Sequence, residues 1–255
     1  MLRFCCLGSG SEGNATVVEA GDGLSTTRVL LDNGFNGRQL RQRLARAGLG
    51  LEDLDAVVLT HEHSDHVGGV RTLLRQAALP LFCSIGTARA ASLSDVVTEV
   101  VAGEVLAVGA LRLVPFAVAH DAAEPLQYVF SDGDRRLGVL TDLGAPGEDV
   151  FSALAGVDAL LLECNHDVGM LRASAYPQFL KQRILGDHGH LSNAQAAALL
   201  QRLDRCRLAL VAAGHLSRRN NLPHLAQEAL AAVLGCARPE VLVADQDNGL
   251  SWQRC

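Results

Sequence analysis

The segment VVLTHEHSDHVGG, residues 57–69, places three imidazoles and one carboxylate within six positions directly after an apolar run. In an extended chain His61 and His63 project to the same side, so both can chelate one metal ion. Asp65 and His66 fall at the start of the helix that we expect next, and they turn toward a neighbouring point. A polar turn does not need this spacing, so we predict that the loop supplies ligands for two adjacent ions.

Further ligands are available where later strands are expected to end. His120 ends FAVAH, Asp142 ends GVLTD and His215 ends LVAAGH. Taken singly, each has an ordinary explanation: a histidine at a strand end, a TDLG turn, or a GHLS helix start capped by Ser217. Because the first loop needs partners, we predict that His120 and His215 are further imidazole ligands and that Asp142 is a carboxylate bridging both metals.

The expected ligand atoms are nitrogen and oxygen, which suit zinc, manganese or iron. Two such divalent ions about 3.5–4 Å apart can share a water and lower its pKa, so that a metal-bridging hydroxide exists near neutral pH. The ligand set therefore predicts a dinuclear metal-dependent hydrolase. A non-catalytic or regulatory metal-binding module is the weaker alternative, because the set of ligands is complete.

The elements that must position these residues are short apolar strands alternating with amphipathic helices. Six of the expected strands are followed at once by polar residues able to do chemistry, and loops beyond strand ends are where sites are built on a rigid scaffold. We predict strands at 2–9, 15–20, 27–34, 54–60, 80–86, 111–120, 125–133, 135–144, 158–167 and 207–217, and a closing hairpin-like pair at 240–252. We predict helices at 36–48, 65–79, 145–156, 176–185, 192–204 and 222–235.

The composition is that of a globular protein, with 49% hydrophobic and 20% charged residues. A chain of 255 residues without a linker or low-complexity tract predicts a single domain, 1–255. No run of eighteen apolar residues occurs, and the opening MLRFCCLGSGSEGN does not fit a signal peptide, so we expect no membrane span. Seven cysteines, an odd number without a CxxC pair, are typical of reduced thiols, and we expect a cytoplasmic protein.

Together, HxHxDH after an apolar strand, a later strand-ending histidine, LTDLG and a late GHLS resemble the metallo-β-lactamase superfamily. The resemblance covers nearly the whole chain and implies an α/β fold, a four-layer αββα sandwich with the site at one edge of its two sheets. It implies one metal held by His61, His63 and His120, a second held by Asp65, His66 and His215, and Asp142 bridging them. It also implies that Asp32 supports the ligands from behind.

Five other segments resemble the YycJ/WalJ-like branch of that superfamily, which is related to nucleases of the RNase J and cleavage-factor type. They are SGSEGN at 9–14, LECNHD at 162–167, YPQFLKQRI at 176–184, GDHGHLSN at 186–193 and GHLSRRNN at 214–221. A β-lactamase proper would normally be exported and often carries a cysteine where Asp142 stands. A glyoxalase-II-like thioester hydrolase would use much the same ligands but would not be expected to show the last two segments.

His190 precedes Ser192, the expected N-cap of a helix whose free N–H groups and dipole favour anions. The branch implies that His190 contacts the scissile phosphate or the leaving-group oxygen, and the alternative is a surface histidine near a cap. With Asp65 and Asp142 it completes our catalytic set. Arg218, Arg219 and Asn165 are further candidates for binding the substrate, and Asn220 and Asn221 are expected to hold the loop around His215.

The formal net charge of −6 argues against broad binding to a long duplex, but not against a nucleic-acid end held in a cleft by a few arginines and two ions. The stretch from Asp142 to His215 is too short for the inserted domain of the large related nucleases, which favours a short or open-ended substrate. We therefore predict a phosphodiesterase, specifically an exonuclease acting on DNA or RNA ends. A small-molecule ester, thioester or lactone hydrolase with the same metals is the alternative, which the acidic charge mildly favours.

Overall fold

The run ALLLE at residues 159–163 shows why the predicted strands form. Successive side chains of an extended chain alternate between faces. Ala159 and Leu161 enter one apolar core, while Leu160 and Leu162 enter another on the opposite face. A strand buried on both faces explains why its sequence is continuously apolar and does not alternate with polar residues.

The computed structural model describes every residue except Asp22 and Leu24. Its strands are β1 (Leu2–Gly8), β2 (Ala15–Gly21), β3 (Thr26–Leu31), β4 (Ala56–Val58), β5 (Leu81–Cys83), β6 (Val97–Glu99), β7 (Leu106–Val108), β8 (Leu111–Ala117), β9 (Leu126–Ser131), β10 (Arg136–Leu140), β11 (Ala159–Glu163), β12 (Leu210–Gly214), β13 (Leu242–Val243) and β14 (Leu250–Arg254). They form two seven-stranded sheets, in the orders β14-β1-β2-β3-β4-β5-β6 and β13-β12-β11-β10-β9-β8-β7.

Both sheets are mixed. In the first sheet the pairs from β14 to β3 are antiparallel and those from β3 to β6 are parallel. In the second sheet the pairs from β13 to β10 are parallel and those from β10 to β7 are antiparallel. The carboxyl ends of β3 and β4 therefore lie at one edge of the first sheet, and those of β8, β10, β11 and β12 lie at one edge of the second.

Helices flank the two sheets. They are α1 (Gly37–Arg46), α2 (Ser64–Val67), α3 (Val70–Gln76), α4 (Ile85–Ala90), α5 (Glu148–Leu154), α6 (Val168–Ala173), α7 (Gln178–Leu185), α8 (Asn193–Arg202) and α9 (Pro223–Leu234), with 3₁₀ turns at Leu51–Asp53 and Arg238–Glu240. One core lies between the sheets, a second beneath α1, α3 and α4, and a third beneath α5, α8 and α9. These layers confirm the predicted αββα sandwich.

The predicted closing hairpin at 240–252 is wrong. The strand β13 pairs with β12 in the second sheet, whereas β14 pairs with β1 in the first. Only the turn between them, where Asp245 and Gly249 exchange backbone hydrogen bonds of 3.0 Å, resembles a hairpin. A two-residue strand and a five-residue strand each extend a different sheet, because each finds a longer partner there.

The predicted helix at 65–79 is broken into α2 and α3 at Gly68 and Gly69. A side chain at Gly69 would place Cβ 1.8 Å from the carbonyl oxygen of Phe35, so the chain turns where another backbone passes closely. The sequence interpretation also missed β6, β7, α4 and α6, all of which are short. No helix in the described part of the chain is long and apolar enough to span a membrane. The single-domain organisation stays a prediction.

Candidate metal centre

The candidate site lies at the carboxyl ends of six strands, β3, β4, β8, β10, β11 and β12. Asp32 follows β3, His61 follows β4, Asp142 follows β10 and His215 follows β12. Three of these residues have a left-handed backbone, with φ of 59° at Asp32, 56° at Asp142 and 54° at His215. Such conformations cost of order 1–3 kcal/mol each and cluster at functional sites. Among the described non-glycine residues only Ser92 shares this conformation.

His61, His63 and His120 form the first cluster, in which one ligand atom from each lies within 4.8 Å of the others. The Nδ1 atom of His63 is 3.4 Å from Nε2 of His120. His120 Nδ1 lies 3.1 Å from the carbonyl oxygen of Gly189 and must therefore carry the proton, which leaves Nε2 as the free lone pair. The Nε2 atom of His61 is buried and has no hydrogen-bond partner among the described residues.

Asp65, His66 and His215 form the second cluster. His66 Nδ1 lies 2.8 Å from Asp32 Oδ2, so it donates to that carboxylate, and His66 Nε2 lies 3.5 Å from Asp65 Oδ2. The Nε2 atom of His215 is 3.7 Å from Asp65 Oδ2 and is another buried atom without a hydrogen-bond partner in the described chain.

Asp142 lies between the two clusters and is fully buried. Its Oδ2 is 3.1 Å from His66 Nε2, and its Oδ1 is 3.9 Å from His120 Nε2. Burial alone would raise the pKa of this carboxyl, but the imidazoles of His215 and His66 hold it well below its usual range. An ionised carboxylate within reach of both clusters can serve both, as the bridging ligand was predicted to do.

Asp32 holds both clusters from behind. Its Oδ1 accepts a hydrogen bond of 2.8 Å from the Thr60 backbone N–H, and its Oδ2 accepts one of 2.8 Å from the Thr60 hydroxyl. The Thr60 hydroxyl, having given its proton to Asp32, can only accept from His61 Nδ1, 3.0 Å away. Both His61 and His66 are thus fixed with a protonated Nδ1 and an inward Nε2, the arrangement that outer hydrogen bonds impose on metal-binding histidines.

The ionisation of the clusters also fits a bound cation. Burial lowers the pKa of His61 well below its usual value and lowers that of His120, so both imidazoles remain neutral and able to ligate. His215 behaves in the opposite way: burial opposes protonation, but the carboxylates of Asp142, Asp65 and Glu163 raise its pKa to about 10. In the absence of metal a proton therefore occupies this cluster, and divalent cations would displace it. The residues present fit divalent metal binding.

Glu163, the last residue of β11, is the functional residue that sequence reasoning missed. It is fully buried, and its Oε1 lies 2.8 Å from His190 Nδ1 and 3.1 Å from His215 Nδ1. Its Oε2 accepts hydrogen bonds from the backbone N–H groups of Leu143 and Leu191, at 2.9 and 3.2 Å. Burial raises the pKa of this carboxyl, but His190 and His215 outweigh that effect and lower the pKa to about 2. The signal in the sequence was a carboxylate ending an apolar strand, in ALLLEC.

His190 lies beside these clusters, two residues before Ser192, which caps α8 as predicted. Burial acts to lower the pKa of its imidazole, but the Glu163 carboxylate outweighs burial and raises it. Because Nδ1 faces Glu163 at 2.8 Å, the other ring nitrogen, Nε2, is left for the cavity that His190 lines. His190 therefore lies at the wall of the cavity, with Nδ1 held by Glu163, and not on the surface beside a helix cap.

Of the other predicted substrate and loop residues, two line the cavity and the others do not. Asn165 and Asn220 line the cavity, and Asn165 Nδ2 donates to the His215 carbonyl at 3.2 Å. Asn221 lies behind it, where its Nδ2 donates to the Cys164 carbonyl at 2.7 Å. Arg218 is directed elsewhere, because its guanidinium pairs with the carboxylate of Asp247 at 2.5 Å.

The cavity at the site has a volume of about 240 Å³. It is lined by the candidate ligands Asp65, Asp142 and His215 and also by Tyr176, Leu180, Arg183 and Ile184. Arg183 forms an ion pair with Asp121, whose other oxygen is 3.4 Å from His120 Nε2. The cavity therefore combines candidate metal ligands with apolar side chains.

A four-layer αββα sandwich with paired histidine and aspartate clusters at its strand ends defines a metal-dependent hydrolase fold of the metallo-β-lactamase type. The model of the beta-lactamase superfamily domain matches residues 27–212. The chain belongs to this superfamily, in the branch that contains the proteins YycJ and WalJ, as the sequence motifs predicted.

Relatives with those names are similar over most of the chain. Exodeoxyribonuclease YycJ of Bacillus anthracis is 34% identical over 91% of this chain and 89% of its own length. Exodeoxyribonuclease WalJ of Streptococcus pneumoniae serotype 2 is 36% identical over 88% of this chain and 85% of its own. The crystal structure of YhfI from Bacillus subtilis, a metallo-beta-lactamase fold protein, superposes with a TM-score of 0.75 over 99% of this chain and 98% of that one. At 15% identity it shows the fold alone.

Proposed function

We propose that this protein is a dinuclear metal-dependent phosphodiesterase, an exodeoxyribonuclease that removes nucleotides from nucleic-acid ends. The observation that carries the proposal is the Glu163–His190 pair, at 2.8 Å, beside two groups of potential metal ligands. The relatives named exodeoxyribonuclease support the same reaction, and the cavity of about 240 Å³ favours a single terminal nucleotide over the interior of a duplex.

In this proposal His61, His63 and His120 would hold one ion and Asp65, His66 and His215 would hold a second, with the Asp142 carboxylate within reach of both groups. Zinc and manganese suit these nitrogen and oxygen donors best, and iron is a further candidate. Bound there, the two ions would supply Lewis-acid charge to the phosphate and activate a water for attack. The cytoplasmic location expected from the sequence stays a prediction.

His190 has two tasks that its geometry supports. With Nδ1 donating to Glu163, its protonated Nε2 can donate to a phosphate oxygen and then give its proton to the departing oxygen. Asp65 is ionised at neutral pH, because the imidazoles of His215 and His66 together lower its pKa by more than burial, the largest single effect, raises it. Its carboxylate lines the cavity and can accept a proton from the attacking water. A phosphodiester needs both a proton donor and a proton acceptor at opposite sides of the phosphorus.

A carbonyl substrate remains the competing prediction, and the same cavity can be tested for it. An ester, thioester or lactone carries no charge at the reacting group, so a cationic His190 gains little by binding it. The anionic phosphodiester pairs directly with that cation. The position of His190 therefore favours the phosphodiester.

The test compares substrates with protein loaded with Zn²⁺ or Mn²⁺. Wild-type protein should hydrolyse bis(p-nitrophenyl) phosphate and a dinucleotide, and His190→Ala should lose dinucleotide cleavage by about 10²–10⁴-fold, the usual contribution of a general acid. His224→Ala, a change at an exposed histidine, is the matched control and should cleave like wild type. Turnover of only the thioester or lactone, unaffected by His190→Ala, would instead identify a carbonyl hydrolase.

A further inference from the structure

A second cavity, of about 140 Å³, is lined by the carboxyl end of α1, by β1 and β14 and by the turn that precedes β14. Among the described residues it shares none with the cavity at the metal centre, and no acidic residue lines it. Besides two thiols, its polar side chains all carry hydrogen-bond donors, and they belong to Arg43, Arg46, Asn248, Ser251 and Trp252. Donors and positive charge without a carboxylate are the composition of an anion site.

The Arg43 guanidinium is fixed beside this cavity through one of its nitrogens. Nη1 donates to the carbonyls of Leu7, Gln246 and Asp247, at 2.6, 3.1 and 3.1 Å. The centre of the Phe35 ring lies 3.9 Å from Cζ. Within the described chain, the remaining nitrogens of Arg43, Nε and Nη2, make no hydrogen bond. A guanidinium held in this way, with N–H groups to spare, is preorganised for an anion.

Arg46 brings a second positive charge to the same place. It stands three residues after Arg43 on α1, so the two side chains are neighbours and their like charges repel. Both donate to one oxygen, the Asp247 carbonyl, which Arg46 Nη1 reaches at 2.9 Å. Burial and the charge of Arg46 lower the pKa of Arg43, and the carboxylates of Asp245 and Asp247 offset this effect only in part. The Asp247 carboxylate pairs instead with Arg218.

We propose that this cavity binds a phosphate group through Arg43 and Arg46. Guanidiniums present paired N–H donors that match two oxygens of a phosphate, and a bound anion would relieve the repulsion between these two side chains. Sites that enclose a whole small molecule have volumes of about 300–1,000 Å³. The smaller cavity here fits a phosphate group, either free or at the end of a molecule that extends outward. The site goes beyond the proposed nuclease function and contains none of the candidate metal ligands.

The fluorescence of Trp252 provides the test, because it is the only tryptophan of the chain and lines this cavity. Titrating inorganic phosphate into the intact protein at constant ionic strength should give a saturable change in its emission. Arg46→Gln should weaken phosphate binding roughly 10- to 150-fold, the range for loss of a hydrogen bond to a charged group. Because Arg46 is exposed, this change should not disturb folding, and thermal unfolding checks that it does not.

Arg41→Gln is the matched control, since Arg41 is another exposed arginine of α1 but does not line this cavity. It removes the same charge from the same helix and should leave the titration unchanged. Addition of Zn²⁺ should not alter the curve either, because the metal centre lies elsewhere. A parallel titration with thymidine 5′-monophosphate distinguishes the sources: weaker binding than that of inorganic phosphate identifies a site for the free ion, and equal or tighter binding identifies a site for a phosphate monoester.

The phosphate site is refuted if phosphate leaves the Trp252 emission unchanged over the millimolar range, or if chloride at the same ionic strength changes it equally. Equal weakening by Arg41→Gln and Arg46→Gln would also refute it, because only the overall charge would then matter. A change in emission that requires Zn²⁺ would assign the phosphate to the metal centre and would overturn the separate site. Each of these results leaves the nuclease function untouched, since that function is tested by His190→Ala.

Discussion

Replacing Glu163 by Gln tests whether that residue controls the proton on His190. The carboxylate satisfies four donors: two imidazole Nδ1–H groups on Oε1 and two backbone N–H groups on Oε2. A glutamine offers one oxygen and one NH₂, so it can satisfy only one side. If its oxygen faces Leu143 and Leu191, its NH₂ faces His190 and His215, and their Nδ1 atoms can no longer be the donors.

The expected loss follows from the hydrogen bond removed. A buried hydrogen bond to a charged group contributes about 1.5–3 kcal/mol. If that energy is lost from the transition state, kcat for a dinucleotide falls about 10- to 150-fold. The pH profile changes as well. Glu163 raises the pKa of His190, so the protonated donor persists below that pKa and is lost as pH rises through it. Without the carboxylate, the loss of activity on the alkaline side should move to lower pH.

The assay compares two leaving groups in the metal-loaded protein. Thymidylyl-thymidine releases an alkoxide that needs a proton, whereas p-nitrophenyl thymidylate releases a phenolate that does not. Glu163→Gln should therefore slow the first substrate much more than the second. Asp158→Asn is the matched control, because Asp158 is also fully buried and precedes the same strand β11, but it pairs with Arg135 and Arg207 at the opposite end.

Asp158→Asn should lower the free energy of unfolding but keep the pH profile and the ratio of the two rates. The reasoning about His190 is refuted if Glu163→Gln slows both substrates equally with an unshifted pH profile. That result would mean that Glu163 only stabilises the fold around the site. A rate equal to that of wild type for the dinucleotide would show that the pair plays no part in the reaction.

Two further changes test the supports of the site. Asp32→Asn keeps the left-handed backbone, which asparagine tolerates, but loses the carboxylate acceptor for His66. Zinc affinity, measured in competition with a chromogenic chelator, should therefore fall roughly 10- to 100-fold. Unchanged affinity would exclude a supporting role for Asp32. Gly69→Ala should lower the free energy of unfolding by about 1–3 kcal/mol in urea, because its Cβ would meet the Phe35 carbonyl, while Gly147→Ala, with no atom within 4 Å, should be neutral. Equal effects of the two alanines would refute the steric argument.

The convergence of the candidate metal ligands could be predicted because their spacing is local and their positions are regular. His61 to His66 lie in one loop, and His120, Asp142 and His215 each follow an apolar run that reads as a strand. Parallel neighbouring strands end at the same edge, so such residues converge whatever the details of the loops.

Glu163 could not be recognised in this way, although it stands at the end of an equally clear strand. A single glutamate after three leucines reads as the first polar residue of a turn. Its role depends on Leu143, His190 and Leu191, which reach it only when β10 and β11 pair and α8 packs beside them. The same limit applies to Arg218. Its local motif suggested that it binds a phosphate, whereas in the fold its guanidinium pairs with the carboxylate of Asp247.

The sheet partners of β13 and β14 could not be predicted for a related reason. Both are short, and their sequences fit a hairpin as well as they fit two sheets. The choice is made by the free edges of β12 and β1, which lie far away in the chain. The helix α7 was predicted from its pattern, but the exposure of its apolar residue Phe179 was not. An amphipathic pattern does not say whether a hydrophobic core lies opposite the helix.

The two sheets supply different parts of the site, and this division gives the backbone strain a physical meaning. The loop after β4 brings His61 to His66 from the first sheet, and strand ends of the second bring Asp142 and His215. Asp142 and His215, which follow β10 and β12, adopt left-handed backbone conformations that cost free energy. The hydrophobic core between the sheets offsets this cost, because it holds the two sheet edges at a fixed distance from each other. A fold stabilised by that core can hold an unfavourable cluster of buried carboxylates and imidazoles, and divalent cations bound there would offset the electrostatic part of its cost.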